Sequence, residues 1–392
     1  MLPLQGITVV SLEQAVAAPF TTRQLADLGA RVIKIERPGA GDFARSYDRT
    51  VLGQSSHFVW LNRSKESLTL DVKHAQAPEI LRRLLSKADV FVQNLVPGAA
   101  ARLGLSSDAL LERDPRIIVC NISGYGPDGP YSQKKAYDLL IQCESGLVSV
   151  TGTADTPSKA GVSIADIAAG MYGYTGILTA LYRRERTGEG TAFDVSMFEA
   201  LGEWMGYPSY FAGYGGTAPP RTGAAHATIH PYGPFAAGDG KTVFFGIQNE
   251  REWASFCALV LQQPELASDA RFNSNSQRDA HRQALTGIIA EVFCQLTAAQ
   301  VVERLERAQI ANARLNTMQE FWDHEQLKAR GRWREVATPQ GAIRALLPAV
   351  TMRDVAPRMD PIPAVGEHTR AILAELGFDE DFVARLACDE AI

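Results

Sequence analysis

Short β-branched apolar runs and stretches of helical periodicity alternate through the first half of the chain. Gly6 to Leu12 reads as a buried strand, Ala18 to Gly29 as a helix stopped by its glycine, and Arg31 to Glu36 as a second strand. The alternation continues with a strand at Ser67 to Asp71, a helix at Ala77 to Ala88, and strands at Asp89 to Asn94 and Arg116 to Gly126. Strand and helix taking turns predict a mostly parallel, doubly wound α/β sheet. Ala136 to Gly152 reads as a helix that stops at its glycines. A brief apolar run (Val162, Ile164) then meets a single acid, Asp166, and a helix of about five turns follows. Its start carries Ala168, Ala169, Gly170, Gly173 and Gly176, small enough for another backbone or a flat ligand to come close. Thr191 to Gly215 reads as a strand and then a helix.

The pattern changes at residues 213–233, which are rich in glycine, proline and small side chains. Such a stretch marks a domain boundary or an active-site loop. Beyond it, two apolar runs joined by Gly238, Asp239 and Gly240 predict a hairpin, and three helical patterns follow up to Ile310. This is a second, smaller α/β unit. Residues 312–363 are mixed, and the tail from Gly366 reads as two short helices.

Composition narrows the function classes. The 392 residues are 46% hydrophobic and 21% charged, which is ample for a core, and the net charge of −5 argues against a nucleic-acid partner. No apolar run reaches about 18 residues, so no membrane span or membrane partner is expected. The first residues lack the basic region and cleavage pattern of a signal peptide. Five scattered cysteines (Cys120, Cys143, Cys257, Cys294, Cys388) read as reduced thiols of a cytoplasmic protein. His226 and His230 are four apart, but Pro231 follows directly, and no metal site is expected. The first strand–helix turn, Glu13 to Pro19, contains no glycine, so the pyrophosphate cradle of dinucleotide-binding folds is absent.

Few residues carry candidate chemistry. Asp166 reads either as the N-cap of its helix or as a carboxylate nucleophile that forms covalent acyl intermediates, and the two are compatible. Arg37 and Arg45 flank a Gly/Pro loop at a strand end, where a phosphate or carboxylate can be gripped at two points. Arg102, Lys135 and Arg221 are loop cations that read equally well as solvated charges. His226 is a lone loop histidine, and no G-x-S-x-G elbow is present.

Taken in order, GITVVSLEQAVAAPF, VIKIERPGAGDFAR, LNRSKESLTLD, VQNLVPGAAARLGL, ISGYGPDGPY, KKAYDLLIQCESG, SIADIAAGMYG, RERTGEGTAFDVSMFEA and GEHTRAIL resemble the class III CoA-transferases, the CaiB/BaiF or formyl-CoA transferase family, over nearly the whole length. The resemblance implies a large Rossmann-like α/β domain with a smaller α/β domain, in an interlocked homodimer. Residues 1–212 would form the N-terminal part of the large domain, 213–330 the linker and small domain, and 331–392 the return to the large domain. Asp166 would be the nucleophile. It would take the acyl group from an acyl-CoA as a mixed anhydride, then hold CoA as an aspartyl thioester, and pass it to a free carboxylate. Coenzyme A is then a substrate and no permanent cofactor is implied.

The resemblance also implies roles by position. Ala15, Val16 and Ala17 would line the adenine and pantetheine path, and related enzymes often carry a glutamine at the position of Val16. Arg37 would hold phosphate, Leu70 would pack near the adenine, and Asn94 with Leu95 would follow the pantetheine. Arg102 and Lys135 would contact phosphate or ribose, with Tyr137 and Asp138 near the thioester. Formyl-CoA transferase has a glutamate where Asp138 stands. The α-methylacyl-CoA racemases share the fold but partner the aspartate with a histidine at the position of Tyr137; a tyrosine, with its pKa near 10, favours transfer over racemisation. The segment from Arg221 to Phe235 is similar to that of transferases acting on C4–C5 dicarboxylates, such as the mesaconyl, citramalate and malate enzymes. Arg45, Arg221 and His226 would then hold the distal carboxylate of the substrate.

Overall fold

The computed structural model describes residues 1–392. The chain divides into two compact units, one formed by Met1–Ser145, Ala160–Met205 and Gln326–Ile392, the other by Gly146–Lys159 and Gly206–Glu325. The second unit thus begins at 206 rather than 213, and it also draws in a segment that the sequence reading placed in a helix of the first.

The first unit opens with β1 (Thr8–Leu12), α1 (Ala17–Asp27), β2 (Arg31–Glu36), α2 (Ser56–Leu61), β3 (Lys65–Thr69), α3 (Ala77–Leu85), β4 (Val90–Gln93), α4 (Ala99–Arg102), α5 (Ser107–Arg113), β5 (Ile118–Ser123) and α6 (Asp138–Glu144). The expected helix from Ala136 to Gly152 is two pieces. Gly146 takes a left-handed φ of 83° between α6 and α7 (Leu147–Val150), and the chain changes unit there. It returns with α8 (Ile164–Thr187), β6 (Thr191–Ser196) and α9 (Met197–Trp204).

The six strands form one all-parallel sheet in the order β3-β2-β1-β4-β5-β6. Alternate residues of each strand serve opposite faces. Val9, Val32, Val90 and Ile118 pack under α1, α8 and α9, while Val10, Ile33, Phe91 and Val119 meet α3 and the C-terminal helices. Both faces are covered, which is why β1, β2 and β4 are mostly apolar.

The small residues of α8 serve backbone approach. A Cβ added at Gly170 would lie 2.8 Å from the Ala17 carbonyl oxygen and 2.9 Å from Phe20 Cβ, and the Thr21 hydroxyl donates to the Gly170 carbonyl at 2.9 Å. Gly170→Ala is therefore expected to destabilise the protein by about 1–3 kcal/mol. Gly287→Ala, on an exposed helical site with open space around it, is expected to stabilise by about 0.5–1 kcal/mol. Urea unfolding of both variants checks the contrast.

The second unit carries α10 (Gly206–Gly215), an antiparallel sheet of β7 (Tyr232–Ala236), β8 (Thr242–Gly246) and β9 (Asn312–Ala313), and the helices α11 (Glu250–Ser255), α12 (Asn275–Ala280), α13 (Arg282–Phe293) and α14 (Ala298–Arg307). The hairpin forms as the Gly-Asp-Gly turn predicts. Two of the three expected helices are interrupted: one becomes a π-helical turn at Phe256–Leu261, and another breaks at His281. The core of this unit is aromatic, with Phe235, Phe245, Phe256 and Phe293 in successive ring contact.

Two short helices, α15 (Met318–Trp322) and α16 (Glu325–Ala329), lead back to the first unit. There β10 (Trp333–Thr338) and β11 (Gly341–Leu346) form a hairpin, and α17 (Thr369–Glu375) and α18 (Glu380–Cys388) close the face of the parallel sheet through Ile372, Leu373, Val383 and Leu386. No single helix is long and apolar enough to cross a membrane.

Candidate active site

The winding of the parallel sheet reverses between β1 and β4, the place where open α/β sheets take their ligands. Asn94 joins the two loops that leave these strands. Its side-chain oxygen accepts from the Gln14 N–H and its amide donates to the Gln14 carbonyl, both at 2.9 Å. The next residue, Ala15, has φ +64°, a left-handed conformation that costs a non-glycine residue about 1–2 kcal/mol. Its N–H donates to Asp42 Oδ1 at 3.2 Å. The chain then enters α1 at Ala17.

Asp166 lies in the first turn of α8. It is not the N-cap: that position is Ser163, whose side chain makes no capping bond. The cap comes from α6 instead. Asp138 Oδ1 accepts from the N–H groups of Ala165 (2.8 Å) and Asp166 (3.3 Å), while Oδ2 accepts from the Gln142 amide at 2.6 Å. The Asp166 side chain is thereby released from capping its own helix. It is half-buried, and its carboxyl is pushed up from 3.8 to about 7. Burial is the leading cause, the charge of Asp138 adds to it, and a hydrogen bond from the Ala17 backbone opposes both. Asp166 thus stands at the start of α8 with its carboxyl held well above the usual carboxylate range.

Tyr47 was not singled out by sequence. Its phenol is pushed up to about 12, first by burial and then by the charges of Asp42, Asp166 and Tyr137, so these groups share one neighbourhood. Tyr137 itself is 68% exposed. The residue pattern S-Y-D-R around Tyr47 has no periodicity that could have flagged it.

Behind the first loop lies a buried ionic network. Lys34 Nζ, with no exposed side-chain surface, reaches Asp42 Oδ2 at 2.6 Å, Asn62 at 3.2 Å and Glu13 at 3.6 Å. Lys65 Nζ reaches Glu13 at 2.7 Å, the Pro19 carbonyl at 3.0 Å and Asn62 at 3.2 Å. Burial alone would lower the pKa of Lys34, but Asp42, Glu13 and Glu36 raise it above the usual lysine range. Burial also leads at Lys65, where Glu13 only partly offsets it, and brings it down to about 8. A signal for this network was present in the sequence: lysines in the midst of the apolar run RVIKIE and at the start of β3 demand buried partners.

Several expected site residues are buried or engaged by neighbouring groups. Leu70 is 1% exposed within the core beside α3. Val16, 3% exposed, packs against Phe20, Leu61, Ile167 and Met171 and so seats α8 on α1. Arg45, Arg221 and His226 each have local partners. Arg45 is spent on Glu36, at 2.7 and 2.8 Å, and on the Pro363 carbonyl, and it stacks 3.7 Å over the Phe58 ring. Arg221 donates to the carbonyls of Ser149, Thr153 and Ala154, fastening the 146–159 segment within its unit. His226 uses Nδ1 to accept from the N–H groups of Thr228 and Ile229 and stacks on Tyr232. Arg221 and His226 thus close local loops through backbone carbonyls and N–H groups.

The remaining expected positions stay accessible. Arg37, Arg102 and Lys135 are exposed cations outside the ion pairs of the chain, Arg37 directly after the carboxyl end of β2. Leu95 follows Asn94 at half burial, its N–H held by the Gln93 side chain. Ala17 is buried, with its carbonyl oxygen against the Gly170 turn of α8.

Comparison with known proteins places this arrangement. The family model for CoA-transferase family III matches residues 4–369. The chain is 34% identical over 397 residues to a mouse succinyl-CoA:glutarate CoA-transferase, covering 100% of this chain and 91% of the mouse protein. It is 30% identical to a succinyl-CoA–D-citramalate CoA-transferase of Chloroflexus aurantiacus, covering 100% of this chain and 98% of that protein. The crystal structure of a CaiB/BaiF family protein from Brucella suis superposes with a TM-score of 0.82 at 33% identity, over 96% of this chain and 99% of the other. With the fold, the chain length and the family model in agreement, the chain belongs to CoA-transferase family III and is an enzyme of the transferase class.

Proposed function

We propose that this enzyme moves CoA between a short dicarboxylic acyl-CoA and a free dicarboxylate, with Asp166 as the covalent carrier. The observation that carries the reading is the placement of Asp166: a half-buried carboxylate, raised to about 7, in the first turn of α8 where the start of α1 packs against it. A carboxylate this basic is a better nucleophile than a solvated one, and enough of it is ionised at neutral pH. The dicarboxylate class is supported by relatives named for succinyl-CoA with glutarate or citramalate.

The steps balance without a redox partner or a net proton. An Asp166 oxygen attacks the thioester carbonyl, the C–S bond breaks, and CoA thiolate leaves an aspartyl–acyl anhydride. The thiolate attacks the Asp166 carbonyl, expels the donor acid as carboxylate, and forms an aspartyl-CoA thioester. The acceptor carboxylate then attacks this thioester and releases the thiolate. The thiolate takes the acceptor's acyl group and frees Asp166. The Ala17 backbone favours the anion at Asp166. Exposed Arg37, Arg102 and Lys135 are the cations we assign to the phosphates of CoA, with Asn94 and Leu95 along the pantetheine and Ala15 at its turn.

A homodimer and a cytoplasmic location belong to the same reading. None of the residues of α10 is buried, although it carries Tyr207, Tyr210, Phe211 and Tyr214, and a second copy of the chain would cover this aromatic face. Five unpaired thiols fit a reducing compartment.

Hydroxylamine added with succinyl-CoA is expected to modify Asp166, read by peptide mass. The kcat/KM profile should rise through an acid limb near pH 7, because only the ionised carboxylate attacks. In an acceptor panel with succinyl-CoA, dicarboxylates should exceed monocarboxylates of equal length. Label at another residue would sink the covalent role, and equal use of monocarboxylates would sink the dicarboxylate assignment. Deuterium exchange at the substrate α-carbon without CoA movement would point to a racemase instead.

A further inference from the structure

Asp42 is a buried carboxylate with three partners, on β2, on the loop before α1 and on a 3-10 turn. Its Oδ2 receives Lys34 at 2.6 Å, with neither side chain more than 1% exposed. Its Oδ1 accepts from the Ala15 N–H at 3.2 Å and from the Ala44 N–H at 2.9 Å. The first bond holds the loop that leads into α1. The second caps the 3-10 turn Phe43–Ser46, which delivers Tyr47. The loop leads into the start of α1, which packs on the turn that carries Asp166: Val16 lies against Ile167, and the Ala17 carbonyl oxygen sits 2.8 Å from where a Cβ on Gly170 would be. The Tyr47 phenol feels the Asp166 charge. The Asp42 backbone N–H is itself held by Glu36 at 2.8 Å.

The backbone at Ala15 shows that this bond does work against a local preference. A residue with a Cβ enters the left-handed region only when its surroundings over-determine it. Here Asn94 fixes the Gln14 peptide from one side and Asp42 takes the Ala15 N–H from the other. Nothing in the Asp166 chemistry uses Lys34 or Asp42 directly, and a buried ion pair is weak evidence for stability in itself.

We propose that Asp42, paired with and oriented by Lys34, is a positioning residue for Asp166: it holds Ala15 in its left-handed turn so that the start of α1 keeps its place against the turn of α8 that carries Asp166. This rests on the reading of Asp166 as the reacting carboxylate. Lys34 acts at one remove, by keeping the Asp42 charge in place, and Glu13 and Lys65 complete the charge balance behind it.

The test compares the full-length enzyme with Asp42→Asn and Asp42→Glu. The first removes the charge facing Lys34. The second keeps the ion pair, and with it folding, but displaces the acceptor from Ala15 by one methylene. Each is expected to lower kcat by about 10²-fold, with KM for acyl-CoA within about threefold, since misplacement of a reacting group costs chemistry more than binding. Each should also move the acid limb of kcat/KM to higher pH. The Ala17 backbone favours the Asp166 anion, so its displacement leaves burial and the Asp138 charge less opposed. A folded variant with unchanged kcat and an unmoved limb overturns the proposal, as does a loss confined to KM. Hydroxylamine trapping on the wild-type enzyme separates the two readings. Absence of label at Asp166 removes the reading beneath the proposal. Label at Asp166 in the wild type, with an equal labelling rate in the Asp42 variants, removes the positioning role alone.

Discussion

Asp166→Asn is expected to lower CoA transfer by at least about 10³-fold and, in the same protein, to raise stability above neutral pH. Loss of activity follows because an amide supplies no oxygen nucleophile and no anhydride forms on it. The gain in stability follows from the raised carboxyl. Between its unfolded value of 3.8 and about 7, the folded state holds a proton at Asp166 that the unfolded chain has released. The stability this group contributes is therefore fully present below pH 3.8, falls as pH rises, and is lost once pH passes about 7. Above that point the native enzyme keeps a charge in a site that disfavours it. The amide has nearly the same shape without that charge, and a gain of about 1–2 kcal/mol is expected at pH 8, discounted for the solvent-facing edge of the side chain. At pH 4 the gain should vanish, since native Asp166 is then protonated. Thermal midpoints of both proteins at the two pH values check this. A variant gaining nothing at pH 8 would remove the claim that burial and Asp138 load the site.

The second large effect is expected at Asp138, where charge and hydrogen bonding can be separated. Asp138→Asn keeps an oxygen for the Ala165 and Asp166 N–H groups but removes the like charge beside Asp166. The acid limb of kcat/KM should move to lower pH, by up to about one unit, with α8 intact. Asp138→Ala removes the cap as well. Two N–H groups of α8 and the Gln142 amide then lose their acceptor, at a cost of about 1–2 kcal/mol, and kcat should fall by about 10²-fold as the turn carrying Asp166 loosens. An unmoved limb in Asp138→Asn would show that the two carboxylates do not couple. This shift is opposite in sign to the one expected at Asp42, so the two carboxylates near Asp166 are distinguishable by one titration.

The elements closest to the reaction were legible because their signals are local. The β-branched runs at β1, β2 and β4 need two covered faces whatever surrounds them, and Asp166 at the head of a helix rich in small residues was visible as a candidate from spacing alone. Boundaries drifted where a local pattern met a distant demand. The run from Ala136 to Gly152 has helical character throughout, yet Gly146 breaks it and the two halves serve different units. Arg45 and Arg221 had the right charge in the right kind of loop, but charge does not specify its partner. One is consumed by Glu36, nine residues away, and the other by three carbonyls about seventy residues distant in the chain.

What the sequence by itself determined was the alternation of strand and helix, the doubly wound class, the small-residue start of α8, and, through its ordered motifs, the family. Those depend on periodicity and on residue type, and both are written along the chain. Only the tertiary structure decided that Asp138 caps the helix of Asp166, that the start of α1 packs on the turn that carries it, that Leu70 and Val16 are core, and that Lys34 and Asp42 stand behind the Ala15 turn. Each of these joins residues 27 or more positions apart, or sets burial that neighbours in sequence do not reveal, apart from the Lys34–Asp42 pair itself, which spans a loop. The pKa of a carboxylate and the reach of a cation are properties of the space around them, and that space is made only when the sheet closes.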